Sequence, residues 1–166
     1  ATGHKIKLVE IGSIIFVTAY IFIGFYCLFM IRNLSLSHVA YLLLTIWFTD
    51  SFAYFGGMKF GKNKLSPKIS PNKSIEGSVI GSLSSIAIAL LFFFTTDVFS
   101  SLVVAIAITL VVSAVGQFGD LIESAYKREY QVKDSSNLLP GHGGIFDRFD
   151  SVILSAPCLI ILLSLF

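Results

Sequence analysis

Four aspartates, Asp50, Asp120, Asp147 and Asp150, stand beside glycine and basic residues in a chain that is otherwise sparing with charge. Carboxylates are hard oxygen donors, and magnesium is commonly held by one or two of them together with substrate phosphates. Basic groups close by would neutralise phosphate oxygens. The combination fits phosphoryl or nucleotidyl transfer, where negative charge must be stabilised. The richest run is 137–150, NLLPGHGGIFDRFD. Gly141, Gly143 and Gly144 permit tight turns and close backbone approach to a ligand. His142 lies between them, and Asp147 and Asp150 flank Arg148. Helix capping would account for one of these aspartates but not for both. Zinc fits poorly. The histidines are His4, His38 and His142, and Cys27 and Cys158 sit in apolar runs as inert buried thiols.

Two further segments supply polar groups. Asp120, Glu123, Ser124 and Lys127 follow at offsets of three, four and seven, so on a helix they share one face. Glu123 and Lys127 would form an ordinary helix ion pair, with Asp120 nearer the apolar stretch. The run 56–77, GGMKFGKNKLSPKISPNKSIEG, holds five lysines among glycine, serine and proline. Gly56, Gly57 and Gly61 predict a tight-turn region. Ser66-Pro67 and Ser70-Pro71 force extended backbone before each proline. Ser74 is placed to cap a helix, with Glu76 off the usual capping-box position. Such a loop either touches anionic headgroups or binds phosphate through lysine and exposed amides.

These residues must be positioned by membrane helices. Of 166 residues, 55% are hydrophobic and 13% charged, against about 25% charged in a soluble domain. Sixteen phenylalanines also exclude disorder. A helix crosses the hydrocarbon layer in about 20 residues. Apolar stretches at 11–31, 36–55, 75–94, 99–118 and 149–166 give five spans, joined by short turns at 32–35 and 95–98 and long polar connections at 56–74 and 119–148. The expected fold is all-α, a polytopic integral membrane protein. Antiparallel alternation puts every Lys and Arg except Arg32, and every acid except Asp97, on the long-connection side. The positive-inside rule makes that side cytoplasmic. The acids mixed among the bases there mark a reaction or binding surface, and Asp50 near the end of its span needs a partner or a cation.

The run from Ser124 through Lys127-Arg128, Lys133-Asp134, Ser136, Leu139-Pro140 and His142-Gly143-Gly144 to Asp147-Arg148-Phe149-Asp150 resembles the signature of phosphatidate cytidylyltransferases, the CDP-diacylglycerol synthases. It departs only at Tyr126, where the pattern has an aliphatic residue or Phe. Gly119-Asp120 and the 66–77 loop are also similar, so the resemblance runs from Asp50 to the C-terminus. It implies a transfer of the cytidylyl group of CTP to phosphatidic acid, giving CDP-diacylglycerol and pyrophosphate. It implies Mg2+, with room for a second metal or a monovalent cation, held by Asp120 and Asp147 with Asp150 or Asp50 nearby. Lys73, Lys127, Arg128, Lys133 and Arg148 would meet substrate phosphates, and Ser70, Ser124, Gly143 and Gly144 would contribute to nucleotide binding. His142 would orient a phosphate or an aspartate. The family also implies upstream membrane helices, so residues 1–166 are expected to form a single catalytic region of a longer protein in the bacterial inner membrane. Membrane lipids are the expected surroundings, a homodimer is compatible with the family, and no nucleic-acid partner is expected.

Two other readings stay open at this point. One is a CTP-dependent membrane lipid-alcohol kinase, which would share the ions and the donor but transfer the γ-phosphoryl group. The other is a non-enzymatic transporter or lipid-binding protein. Transport favours polar residues at the midplane, whereas here the charge gathers at the span ends.

Overall fold

In this computed structural model, residues 8–132, 134–136 and 144–166 are described. The helices are α1 (Leu8–Leu34), α2 (Leu36–Phe60), α3 (Ile75–Ser84), α4 (Ile86–Thr95), α5 (Leu102–Glu129) and α6 (Phe146–Leu165). An antiparallel ribbon of β1 (Lys64–Ser66) and β2 (Ser70–Ser74) joins α2 to α3. Five helical segments are long and apolar enough to cross a membrane, with α3 and α4 counting as one segment. The chain is a polytopic helical membrane protein. Large apolar side chains such as Phe16, Phe22 and Phe29 on α1 are exposed, as expected where lipid replaces water as solvent.

Pairwise contacts fix the helix directions. Gly77 lies against Gly57 and Gly81 against Thr49, so α2 and α3 run antiparallel. Tyr41 bonds Thr109 and Thr49 bonds Ser113, so α2 and α5 run parallel. Gly119 abuts Ser151 and Gly116 abuts Ser155, which sets α5 antiparallel to α6. Tyr20 meets Phe146 and Gly24 meets Ile153, so α1 and α6 are parallel. The ribbon, the C-terminal ends of α2 and α5 and the start of α6 therefore share one end of the bundle. Among the described residues, only Arg32 and Asp97 carry charge toward the other end.

Small residues let the backbones approach, as they do in membrane bundles. A Cβ on Gly77 would stand 2.5 Å from the Ala53 carbonyl oxygen and 2.9 Å from Gly57 Cα. This explains why Gly56 and Gly57 form no turn. They lie inside α2, which continues to Phe60, and only Gly61 serves as its C-cap. The connection expected to be irregular is instead a ribbon. Ser66 and Ser70 adopt the extended backbone that a following proline demands, and the turn falls between them. Glu76 does not close a capping box on its own helix. Its carboxylate receives the Lys62 and Asn63 backbone N–H groups and the Asn63 side-chain amide, pinning the base of the ribbon. Ser74 caps α3 as expected, accepting from Gly77 N–H at 3.1 Å.

The third and fourth spans depart from their expected bounds for clear reasons. The third breaks at Ser85, where Ser84 and Ser85 hydroxyls donate to the Gly81 and Ser82 carbonyls and compete with the backbone ladder. The fourth begins at Leu102 because Phe99 leaves the helix to plug the bundle, its ring edge-on to Tyr41 at 4.9 Å. It runs on to Glu129, well past the apolar stretch, because its polar stripe is paired with the ribbon and with α6. The sixth helix starts at Phe146, so Asp147 falls in its first turn. Both cysteines are free and half-buried.

Candidate active site at the charged end

The site is built where β2, α2, α5 and α6 converge. Lys73 on β2 pairs with Asp120 on α5 at 2.5 Å. One turn on, Ser124 Oγ donates to Asp120 Oδ1 at 3.3 Å. Glu123, on the same face, is buried at 2% exposure. Ligand atoms of Asp120, Glu123 and Asp150 all lie within 4.8 Å of one another. Asp150 reaches this group from α6 and also accepts the Ser151 N–H at 2.7 Å. Asp50 opens into the adjoining cavity and lies within Coulombic range of Asp120, Asp150 and Lys73.

Lys127 bridges this group to Asp147. Its ammonium lies 2.5 Å from Glu123 Oε2 and 3.0 Å from Asp147 Oδ1. The ion pair expected within α5 therefore forms, but it also ties α5 to α6. Asp147 Oδ2 accepts the Ser135 N–H at 2.8 Å, the Ser135 hydroxyl at 2.7 Å and the Gly144 N–H at 2.7 Å. Both Asp147 oxygens are thus engaged by donors. Glu123 Oε1, by contrast, is buried and has no hydrogen-bond partner among the described residues.

A cavity of about 540 Å³ adjoins the acidic group between α2, α3, α5 and the ribbon. Asp50, Tyr54, Lys64, Asn72, Lys73 and Asp120 contribute to its wall. Gln117 and Ser78 lie at its floor and are locked together. Ser78 Oγ donates to the Gln117 side-chain oxygen, and the Gln117 amide donates to Ser82 Oγ at 2.9 Å. Ser82 also receives the Ser113 hydroxyl, which in turn receives Thr49. In a low-dielectric interior every such group needs its partner, so this network fixes the spacing of α2, α3 and α5 beneath the cavity.

Of the residues singled out from sequence, Asp50, Lys73, Asp120, Ser124, Lys127, Asp147 and Asp150 are brought together. Ser70 opens β2 at the far end of the ribbon, opposite Ser66. Exposed Arg128 uses its Nε to donate to the Ile69 carbonyl at 3.2 Å, holding the ribbon tip to α5. Arg148 is exposed on the first turn of α6, and Gly144 is buried beside Asp147. Lys133, His142 and Gly143 lie outside the described residues. Sequence reasoning passed over Glu123 as a ligand because its i,i+4 lysine explained it. It also passed over Gln117, whose signal was an amide inside an apolar run, and the cavity residues Tyr54, Lys64 and Asn72.

Comparison with known proteins points to one family. The family model described as the cytidylyltransferase family matches residues 2–166. The chain is 46% identical over 160 residues to the phosphatidate cytidylyltransferase of Bacillus subtilis (strain 168), covering 95% of this chain and 60% of that protein. It is 40% identical over 160 residues to the enzyme of the same name from Staphylococcus haemolyticus (strain JCSC1435), covering 96% and 62%. A third relative of that name, from Staphylococcus aureus (strain COL), is 41% identical with the same coverage. The chain spans about 60% of the length of these curated relatives. With the match running over nearly its whole length, the chain belongs to the cytidylyltransferase family.

Proposed function

We propose that this chain carries the transfer of the cytidylyl group of CTP to phosphatidic acid, giving CDP-diacylglycerol and pyrophosphate. The observation that supports it best is a carboxylate group opening onto a lysine-lined cavity at one end of a membrane bundle. The lipid acceptor is taken from the relatives' name. A divalent cation suits the donor set, since every donor is a carboxylate oxygen and one of them, Glu123 Oε1, is buried without a hydrogen-bond partner among the described residues. Asp120, Glu123 and Asp150 would hold it, with Asp50 across the cavity and Asp147 beyond Lys127. Magnesium there would offset charge on the α-phosphate and on the departing pyrophosphate.

The chain's own groups supply the rest. Lys64 and Lys73 present mobile point charges to the triphosphate. Asn72, Ser74 and the fixed Gln117 floor offer hydrogen-bonding groups to the nucleotide. A phosphatidate oxygen attacks the α-phosphorus in line, the bond to the bridging α–β oxygen breaks, and pyrophosphate leaves. A phosphomonoester is already anionic at neutral pH, so no strong protein base is needed. The acyl chains stay in the bilayer while the headgroup enters from the charged end, which we place in the cytoplasm by the excess of lysine and arginine.

Incubating the purified protein with CTP, Mg2+ and phosphatidic acid should yield CDP-diacylglycerol and pyrophosphate, identified by mass spectrometry. Lipid phosphate and CDP formed from a lipid alcohol would replace this reading with the kinase. Absence of any CDP-lipid would sink it. A cysteine replacing Lys68 in the ribbon turn should be labelled by an impermeant reagent in inverted vesicles and not in intact cells. The opposite pattern would reverse the topology.

A further inference from the structure

Tyr20 on α1 lies outside every motif considered so far, yet its hydroxyl is buried without a partner among the described residues. An unpaired buried hydroxyl is costly, and native structures seldom keep one without a reason. The ring is held in place: it stacks on Phe16 at 6.4 Å and meets Phe146 edge-on at 6.5 Å.

The register of α1 against α6 places the hydroxyl along the site. Pro157 has no N–H to give the Ile153 carbonyl one turn earlier. Gly24 packs directly on that exposed turn, where a Cβ would stand 2.7 Å from Ile153 Cα and from its carbonyl oxygen. The two helices are parallel at this contact. Tyr20, four residues before Gly24, therefore stands at the height of Phe149 and Asp150, which precede Ile153 by four and three. Phe146, which Tyr20 touches, is one turn before Asp150 on the same face of α6. The phenol also lies within Coulombic range of the Asp150 carboxylate. Asp150 Oδ1 already accepts the Ser151 N–H, and a carboxylate has sites for further donors.

We infer that Tyr20 is a positioning residue that donates its hydroxyl to Asp150 when that carboxylate binds a divalent cation, fixing the α6 contribution to the site from α1. The inference rests on the cation reading given under Proposed function. Ligating carboxylates are characteristically oriented by such outer hydrogen bonds, and losing one typically costs about 10–100-fold in metal affinity.

The test is direct binding of Mn2+, a paramagnetic stand-in for Mg2+, to the detergent-purified protein, measured by electron paramagnetic resonance. Thermal unfolding without cation is measured alongside. Tyr20→Phe should weaken Mn2+ binding about tenfold while leaving the cation-free unfolding temperature unchanged or raised, because the hydroxyl it removes has no partner among the described residues. In an Asp150→Asn background, adding Tyr20→Phe should bring no further loss. Unchanged Mn2+ affinity in Tyr20→Phe would overturn the inference and leave the cation reading standing. So would a fall in cation-free stability, which would mean the hydroxyl makes a structural bond. A wild-type protein that binds no Mn2+ would overturn both together.

Discussion

Two carboxylate environments share the Lys127 ammonium, and they are built in different ways. Asp147 is saturated: three donors converge on one oxygen and Lys127 on the other. Asp120, Glu123 and Asp150 face one another, and among the described residues Glu123 Oε1 has no hydrogen-bond donor. Like charges this close in a poorly solvated place repel, and the two lysines, Lys73 and Lys127, offset three carboxylates only in part. The first arrangement holds the chain together and the second is ready to hold a ligand. Lys127 belongs to both, so moving it would couple occupancy of the acidic group to the segment that Asp147 anchors.

The sharpest way to break this contrast is Asp120→Asn. It removes one charge from the open group and the anchor of Lys73, while the amide keeps the shape. Transfer activity should fall about 10²–10³-fold, the usual scale for losing one element of preorganised charge stabilisation, and cation affinity should fall with it. The unfolding temperature should change little, because relieved repulsion in the acidic group offsets the lost Lys73 ion pair. A fully active Asp120→Asn protein that responds normally to Mg2+ would end the assignment.

Asp147→Asn probes the other side. The carboxylate's charge-assisted bonds are each worth about 1.5–3 kcal/mol, so the main readout is stability. The unfolding temperature should drop. Activity should fall as a consequence, because Lys127 and the start of α6 lose their common anchor. Direct cation affinity is the discriminating measurement. If Asp147→Asn weakens it as much as Asp120→Asn does, then Asp147 joins the cation's shell once Lys127 withdraws, and the division drawn above fails.

How much of this could be read from sequence follows the same line. The spans were legible because an apolar run of about 20 residues has little alternative to a helix in lipid. Asp120, Asp147 and Asp150 were legible because carboxylates are conspicuous at the ends of such runs. The ribbon was not, because lysines and prolines at 62–73 carry no strand alternation and its pairing is fixed from outside by Glu76. Gly56 and Gly57 read as a turn because glycine's two uses, bending a chain and admitting a neighbour, look alike in one dimension. Glu123 was hidden by a good local explanation, since its lysine one turn on satisfied the pattern. The two characters of Asp147 and Asp150, three residues apart, depend on which donors the rest of the chain delivers, and only the packed structure decides that.

Smaller changes sharpen the contrast without destroying either side. Ser135→Ala deletes the hydroxyl bond to Asp147 but keeps the backbone one. Stability should fall by about 1.5 kcal/mol, with cation affinity unchanged. Ser124→Ala is its counterpart in the open group. The Ser124 hydroxyl donates to Asp120 at 3.3 Å, a long bond in a half-exposed setting. Its loss should cost about 0.5 kcal/mol. Where that cost appears is the informative part. Asp120 in the cation-free protein also has Lys73 as a partner, so stability without cation should scarcely change. Once a cation draws on Asp120, Lys73 is freed toward the cavity and Ser124 becomes the remaining donor that orients the carboxylate. The deficit should then show as a roughly twofold weaker cation affinity, since about 0.5 kcal/mol is a little over a factor of two. A loss of cation-free stability with unaltered affinity would instead assign Ser124 to the scaffold, and would make the open group a structural cluster like the one around Asp147.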